Sequence, residues 1–213
     1  MKPFLKLIGQ LFLLSLLWSC NNLGNNSSSA WTDQKGLPEN EVYTIDELGI
    51  SIAWTAYKFT DRVGVSGTFN DYTINKKNVS GSIEHILNRL QLSIPTESIE
   101  TKNAIRDFKI KTYFFEAFNT PSITGTVINV KEGEGDIRLK MNKTSHNTTY
   151  TYSLENDTIV LFTRLDLKKW KGEEALAILD KECVLHLQGV DGISKVWPDV
   201  AVIIKLPVNR TVN

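Results

Sequence analysis

Apolar and polar side chains alternate one by one along five stretches of this chain, the rhythm of strands that turn one face inward. Ile50, Ile52, Trp54 and Ala56 share one face of the first stretch, and Val63, Val65 and Phe69 one face of the second. Thr148, Tyr150, Tyr152 and Leu154 form a third such face. Ile159, Leu161, Thr163 and Leu165 form a fourth, and Val200, Val202, Ile204 and Leu206 a fifth. Weaker strand signals cover 79–87, 92–94, 122–130 and 136–141. Turn residues such as Glu155-Asn156-Asp157 and Gly133-Glu134-Gly135 separate the strands, which predicts an all-β, mainly antiparallel sandwich or barrel.

Two stretches leave this rhythm. From Thr101 to about Phe115, the residues Ala104, Ile105, Phe108, Thr112 and Phe115 recur at helical spacing, with Thr101 placed to cap the helix. A second short helix is expected over Glu173 to Glu182, with Leu176, Leu179 and Cys183 on one side. Glu173 and Glu174 fall in its first turn, where the helix dipole favours negative charge.

The N-terminus reads as an export signal. Lys2 and Lys6 are followed by an apolar run from Leu7 to Leu17, then by Ser19 and Cys20. The run is shorter than the roughly 20 residues that a membrane-crossing helix needs. Leu17-Trp18-Ser19-Cys20 resembles the lipobox of bacterial lipoproteins, which implies cleavage after residue 19 and a lipid on Cys20. The organisation expected is a signal peptide at 1–19, a lipidated cysteine and flexible tether at 20–41, and a folded domain at 42–213. Asn21 and Asn22 after the cysteine favour the outer membrane, with the domain facing periplasm or surface. With Cys20 lipidated, Cys183 has no partner for an internal disulfide and reads as a small buried apolar residue.

Several function classes fall away. The 24 basic and 24 acidic side chains cancel, whereas a nucleic-acid binder needs a basic face. His85, His146 and His186 stand at no metal-ligand spacing, so no metal is expected. There is no nucleophile elbow, phosphate loop or dinucleotide fingerprint, and no catalytic residue or cofactor is assigned. Arg106 and Asp107 are adjacent on a helix and so do not face each other; they are expected to anchor that helix to the rest of the fold.

A resemblance covers most of residues 42–130. Ser98-Ile99-Glu100-Thr101, the Arg106-Asp107 pair, Phe114-Phe115 and Pro121-Ser122-Ile123 are similar, in order and spacing, to the signature of the YceI-like family. Tyr43-Thr44-Ile45-Asp46 and Val65-Ser66-Gly67-Thr68-Phe69 resemble its opening. Gly49 and Lys58 stand where typical members carry histidines. The resemblance implies a lipocalin-like up-and-down barrel of about eight strands with one or two short helices, a size just wide enough for one small ligand. It also implies an apolar guest, an isoprenoid or other lipid. Trp54, Tyr57, Phe59, Phe69, Phe108, Phe114, Phe115 and Phe118 are the residues expected to line the lumen. The expected partners are that ligand and the membrane holding the lipid anchor, and a homodimer is compatible with the sequence. The rival reading is a closed, packed barrel that serves as an interaction module, with Trp31, Trp170 and Trp197 as contact residues.

Overall fold

The computed structural model describes residues 41–212. The expected signal peptide, Cys20, the tether up to residue 40, Trp31 and Asn213 lie outside the described residues.

Twelve strands follow in chain order: β1 (Glu41–Ile45), β2 (Ser51–Lys58), β3 (Val63–Phe69), β4 (Thr73–Asn75), β5 (Ser80–Gly81), β6 (Gln91–Pro95), β7 (Ile99–Glu100), β8 (Ser122–Lys131), β9 (Glu134–Met141), β10 (Thr144–Glu155), β11 (Thr158–Asp166) and β12 (Val196–Val212). Four helices join them: α1 (Ile83–Leu87), α2 (Ala104–Ile110), α3 (Glu173–Glu182) and α4 (Val184–Leu187). The strand order is β4-β6-β8-β9-β10-β11-β12-β2-β3-β7, antiparallel throughout, with β1 laid against the second half of β12. Because β6 and β7 belong to one stretch bent by a 3-10 turn at Thr96–Ser98, the sheet curls back on itself. Eight positions make the ring: β2, β3, the β6–β7 stretch, and β8 to β12. This is the lipocalin-like barrel that the alternation and the resemblance led us to expect.

The seam is thin. β3 meets β7 through two residue pairs, Thr68 with Glu100 and Phe69 with Ile99, extended by Asn70 N–H donating to Ser98 O at 3.0 Å. By contrast, β11 pairs with β12 at nine positions.

Turn chemistry sets the hairpins. Asn142 and Lys143 both have positive φ (44° and 57°), as do Asn156 and Asp157 (47° and 57°), giving two-residue turns whose twist matches the flanking strands. Most inward faces read from the alternation are the buried ones, with Ile52, Trp54, Tyr150, Tyr152, Ile159, Leu161, Leu165 and Leu206 in the core; of the face of β3 only Phe69 is buried, and Val63 is exposed because the strand end there has no neighbour on its outer side. Two strand ends were short of the mark, since β12 runs on to Val212 and β10 starts at Thr144.

The segment 79–87 is not a strand beyond Ser80–Gly81. It turns into α1, whose N-cap Ser82 accepts from His85 N–H, and Ile83, Ile86 and Leu87 plug one end of the barrel. The helix over 101–115 also differs from expectation. Asn103, not Thr101, caps α2 by accepting from Arg106 N–H at 3.0 Å. After Ile110 the chain widens into a π-helical turn over Lys111–Glu116. A π-turn shifts the phase of the helix face. Phe114 and Phe115 are buried as a result, while Ile105 and Phe108 of the expected inner face stand 70% and 59% exposed.

Candidate functional site: a two-chambered lumen

The barrel is packed at one end and hollow at the other. At the α1 end, Tyr43, Ile45, Leu90, Ile94, Val127 and Ile159 fill the space. At the opposite end the interior opens into two connected chambers. The inner one, about 130 Å³, is lined almost wholly by apolar groups, among them Phe69, Phe114, Phe115, Phe118 and Met141. The outer one, about 340 Å³, reaches the mouth between β2, α2 and α4 and adds Lys58, Arg106, Lys109, Cys183 and His186. Trp54, Ala56, Ile110, Leu179 and Val196 border both. The outer chamber sits at the lower end of the roughly 300–1,000 Å³ usual for small-molecule sites.

Of the eight aromatic residues expected in the lumen, five line the inner chamber: Trp54, Phe69, Phe114, Phe115 and Phe118. The three phenylalanines of the helical segment pack as a group, Phe114 lying 5.0 Å from Phe115 and 5.2 Å from Phe118 between centroids, and Phe69 lies 6.3 Å from Phe115. The other three do not join them. Tyr57 borders only the outer chamber, and its ring is covered by the guanidinium groups of Arg62 (4.9 Å) and Arg164 (5.7 Å). Strand parity explains this, because Tyr57 is one residue out of step with Trp54 and Ala56. Phe59 sits in a turn at φ 62°, beneath the Lys58 ammonium at 4.2 Å. Phe108 is outside, edge-on to Tyr113.

Trp54 takes its place through a glycine. Gly67 is its cross-strand neighbour, and a Cβ there would stand 2.5 Å from Trp54 Cζ2 and 2.7 Å from Glu100 O. The indole lies across that gap. Its Nε1 is buried and has no hydrogen-bond partner, whereas Trp170 Nε1 donates to Leu139 O and Trp197 Nε1 to Phe59 O. Trp170 is fully buried, and Trp197 is half-buried under Arg62 and Lys195, so neither is a free contact surface.

Arg106 and Asp107 converge on one residue. Thr101 donates to Asp107 Oδ1 through its N–H at 2.9 Å and its hydroxyl at 2.5 Å. Arg106 Nε donates to Thr101 Oγ1 at 2.9 Å and Nη2 to Thr101 O at 3.1 Å. The pair ties α2 to the end of β7, which fixes one wall of the mouth. Cys183 is buried at that mouth. Burial pushes its thiol up, opposed by the charge of Lys109 and reinforced by Glu182 and Asp180, so it stays a neutral, poorly nucleophilic group. Sequence reasoning missed the mouth cations Lys58, Arg106 and Lys109, with His186 beside them, as a set, because they come from three elements far apart in the chain. Among the described residues there is no cluster of three or more His, Cys, Asp or Glu arranged to hold a metal, and no helix long and apolar enough to cross a membrane.

Comparison with known proteins agrees with this architecture. A polyisoprenoid binding domain from Saccharophagus degradans, implicated in plant cell wall breakdown, superposes with a TM-score of 0.54 at 16% identity, covering 79% of this chain and 98% of that one. Burkholderia cenocepacia BcnA superposes with a TM-score of 0.52 at 11% identity, covering 78% of this chain and 99% of its own. At those identities the likeness is one of fold. No curated protein sequence matches the chain. The family described as the YceI-like domain matches residues 43–207, from within the first strand to within the last, and the chain belongs to that family.

Proposed function

We propose that the protein holds one long-chain apolar molecule, polyisoprenoid-like or fatty-acid-like, in the hollow end of its barrel, for carriage or sequestration in the cell envelope. The observation that carries this reading is the pair of connected chambers, one of them walled almost entirely by aromatic and aliphatic side chains. The name of the Saccharophagus relative, a polyisoprenoid binding domain, supports the same class of guest. Transfer of a hydrocarbon tail from water gains about 25 cal/mol per Å² of apolar surface. No catalytic role is assigned: Asp107, the buried carboxylate nearest the mouth, is committed to Thr101.

The test is lipid mass spectrometry on the full chain purified without detergent. A stoichiometric long-chain species is expected, and Ala56→Trp, which fills the passage between the chambers, should remove it while circular dichroism stays that of the parent. A clean extract together with no uptake of added isoprenoids or fatty acids would overturn the reading in favour of an interaction module.

The lipobox-like Leu17-Trp18-Ser19-Cys20 supports anchoring of this barrel to a membrane, in our reading the outer membrane. Incorporation of labelled palmitate, lost in Cys20→Ser together with membrane fractionation, is the expected result. A soluble protein that takes up no label would refute it.

A further inference from the structure

We propose that the molecule held in the lumen is an amphiphile with an anionic head, a carboxylate or a phosphate ester, seated at the mouth among Lys58, Arg106 and Lys109. This rests on the reading of the lumen as a site for a long-chain molecule and adds which end leads and what charge it carries. The wall of the outer chamber holds Lys58, Arg106, Lys109 and His186 and no carboxylate. None of the three cations forms a salt bridge with an acidic side chain among the described residues. Asp107, next in sequence to Arg106, spends its carboxylate on Thr101. Lys58 Nζ donates to His186 O at 3.1 Å, and Arg106 uses Nε and Nη2 on Thr101, so both heads are held at the rim with donors to spare. Half-buried cations gathered on an apolar wall favour an anion that brings charge-assisted hydrogen bonds.

Polarity falls in order along the channel. Below the cations come Trp54 and Ala56, and beyond them Phe69, Phe114, Phe115 and Phe118. An amphiphile matches this order, its head among the cations and its tail in the inner chamber. A wholly apolar guest would leave the cations unanswered.

The test titrates the delipidated full chain, by calorimetry, with ligands that share a tail and differ in the head: oleic acid against oleyl alcohol, and farnesyl phosphate against farnesol. The charged member of each pair is expected to bind about tenfold tighter. In Lys58→Gln/Lys109→Gln that preference should shrink toward equality. The pair with the larger ratio of charged to neutral affinity, carboxylate or phosphate, names the head. Equal binding of charged and neutral members by the unaltered protein overturns the anionic head and leaves the lumen reading standing. Binding by none of the four takes both down.

Discussion

The two ends of this barrel are made of the same strands and behave as different materials. Toward α1, inward positions carry interlocking aliphatic groups, and Ile86, Leu87 and Ile159 have essentially no exposed surface. Toward α2 and α3 the same strands present Trp54, Ala56, Val200 and Val202, which surround space. The difference lies in what closes each end. Helix α1 pushes three aliphatic side chains into the barrel, whereas α2 and α3 lie over the rim and leave volume beneath them. One end supplies stability and the other gives some of it up in leaving space unfilled.

Truncation measures that difference most directly. Leu87→Ala, in the packed end, should cost about 2–5 kcal/mol in urea unfolding, the range for a buried leucine whose surroundings cannot collapse. Leu179→Ala, on the wall of both chambers, should cost about 1 kcal/mol, because its neighbours already face space. Equal costs would erase the distinction between the ends.

Glycine substitutions give the next effect. A Cβ at Gly135 would stand 2.4 Å from Asn129 O and 2.4 Å from Tyr150 Oη, with backbone that cannot yield, so Gly135→Ala should lose about 1–3 kcal/mol. Gly67→Ala strikes Trp54, whose ring has a chamber to move into, and the backbone Glu100 O at 2.7 Å, so a comparable stability loss with a larger loss of ligand uptake is expected.

Acid should act at both ends, through Glu84 of α1 at the packed one and Asp199 near the hollow one. Burial raises the Glu84 carboxyl, but hydrogen bonds from Tyr152, its own backbone N–H and Ser82 outweigh that and leave it below the ordinary value. A carboxyl lowered in the folded state adds stability above its unfolded pKa, and that contribution fades as pH falls through the folded one. Asp199, where burial is outweighed by Arg62 and Arg164, acts in the same direction. Stability should therefore decline on acidification through and below the carboxylate range. Tyr152→Phe removes the 2.6 Å bond to Glu84, costs about 1 kcal/mol at neutral pH, and makes that decline smaller, because the folded carboxyl moves back toward its unfolded value. An unchanged acid limb would detach Glu84 from the stability of the packed end. Smallest of all, Phe108→Ser on the outer face of α2 should change unfolding by no more than about 0.5 kcal/mol.

The sequence carried the barrel well because alternation needs only neighbours. Once one face of β2, β10 or β11 is apolar, its direction follows. It carried α1 poorly, since five residues with Ile83, Ile86 and Leu87 hold a single turn of periodicity, and the useful signal was Ser82 as a cap. The aromatic lining was half legible for a physical reason. Phe114 and Phe115 were found, but a uniform helical period also placed Phe108 inside, because nothing local announces the π-turn after Ile110. Phe59 was misplaced for want of a sign that its backbone would turn through positive φ. The mouth cations form no motif at all, and only the fold brings them together.

The short β3–β7 seam has a mechanical consequence. Elsewhere around the ring, widening the barrel means breaking ladders many pairs long, so strain concentrates where two pairs hold. From Val63 to Gly67 the outer edge of β3 has no strand beside it, and Val65 borders the outer chamber. For the guest proposed above this leaves a slit as well as a mouth, along which the wall would part lengthwise like a spring collar. The amides of 63–70 should accordingly exchange with solvent faster than those of β11, and slow once the lumen is filled.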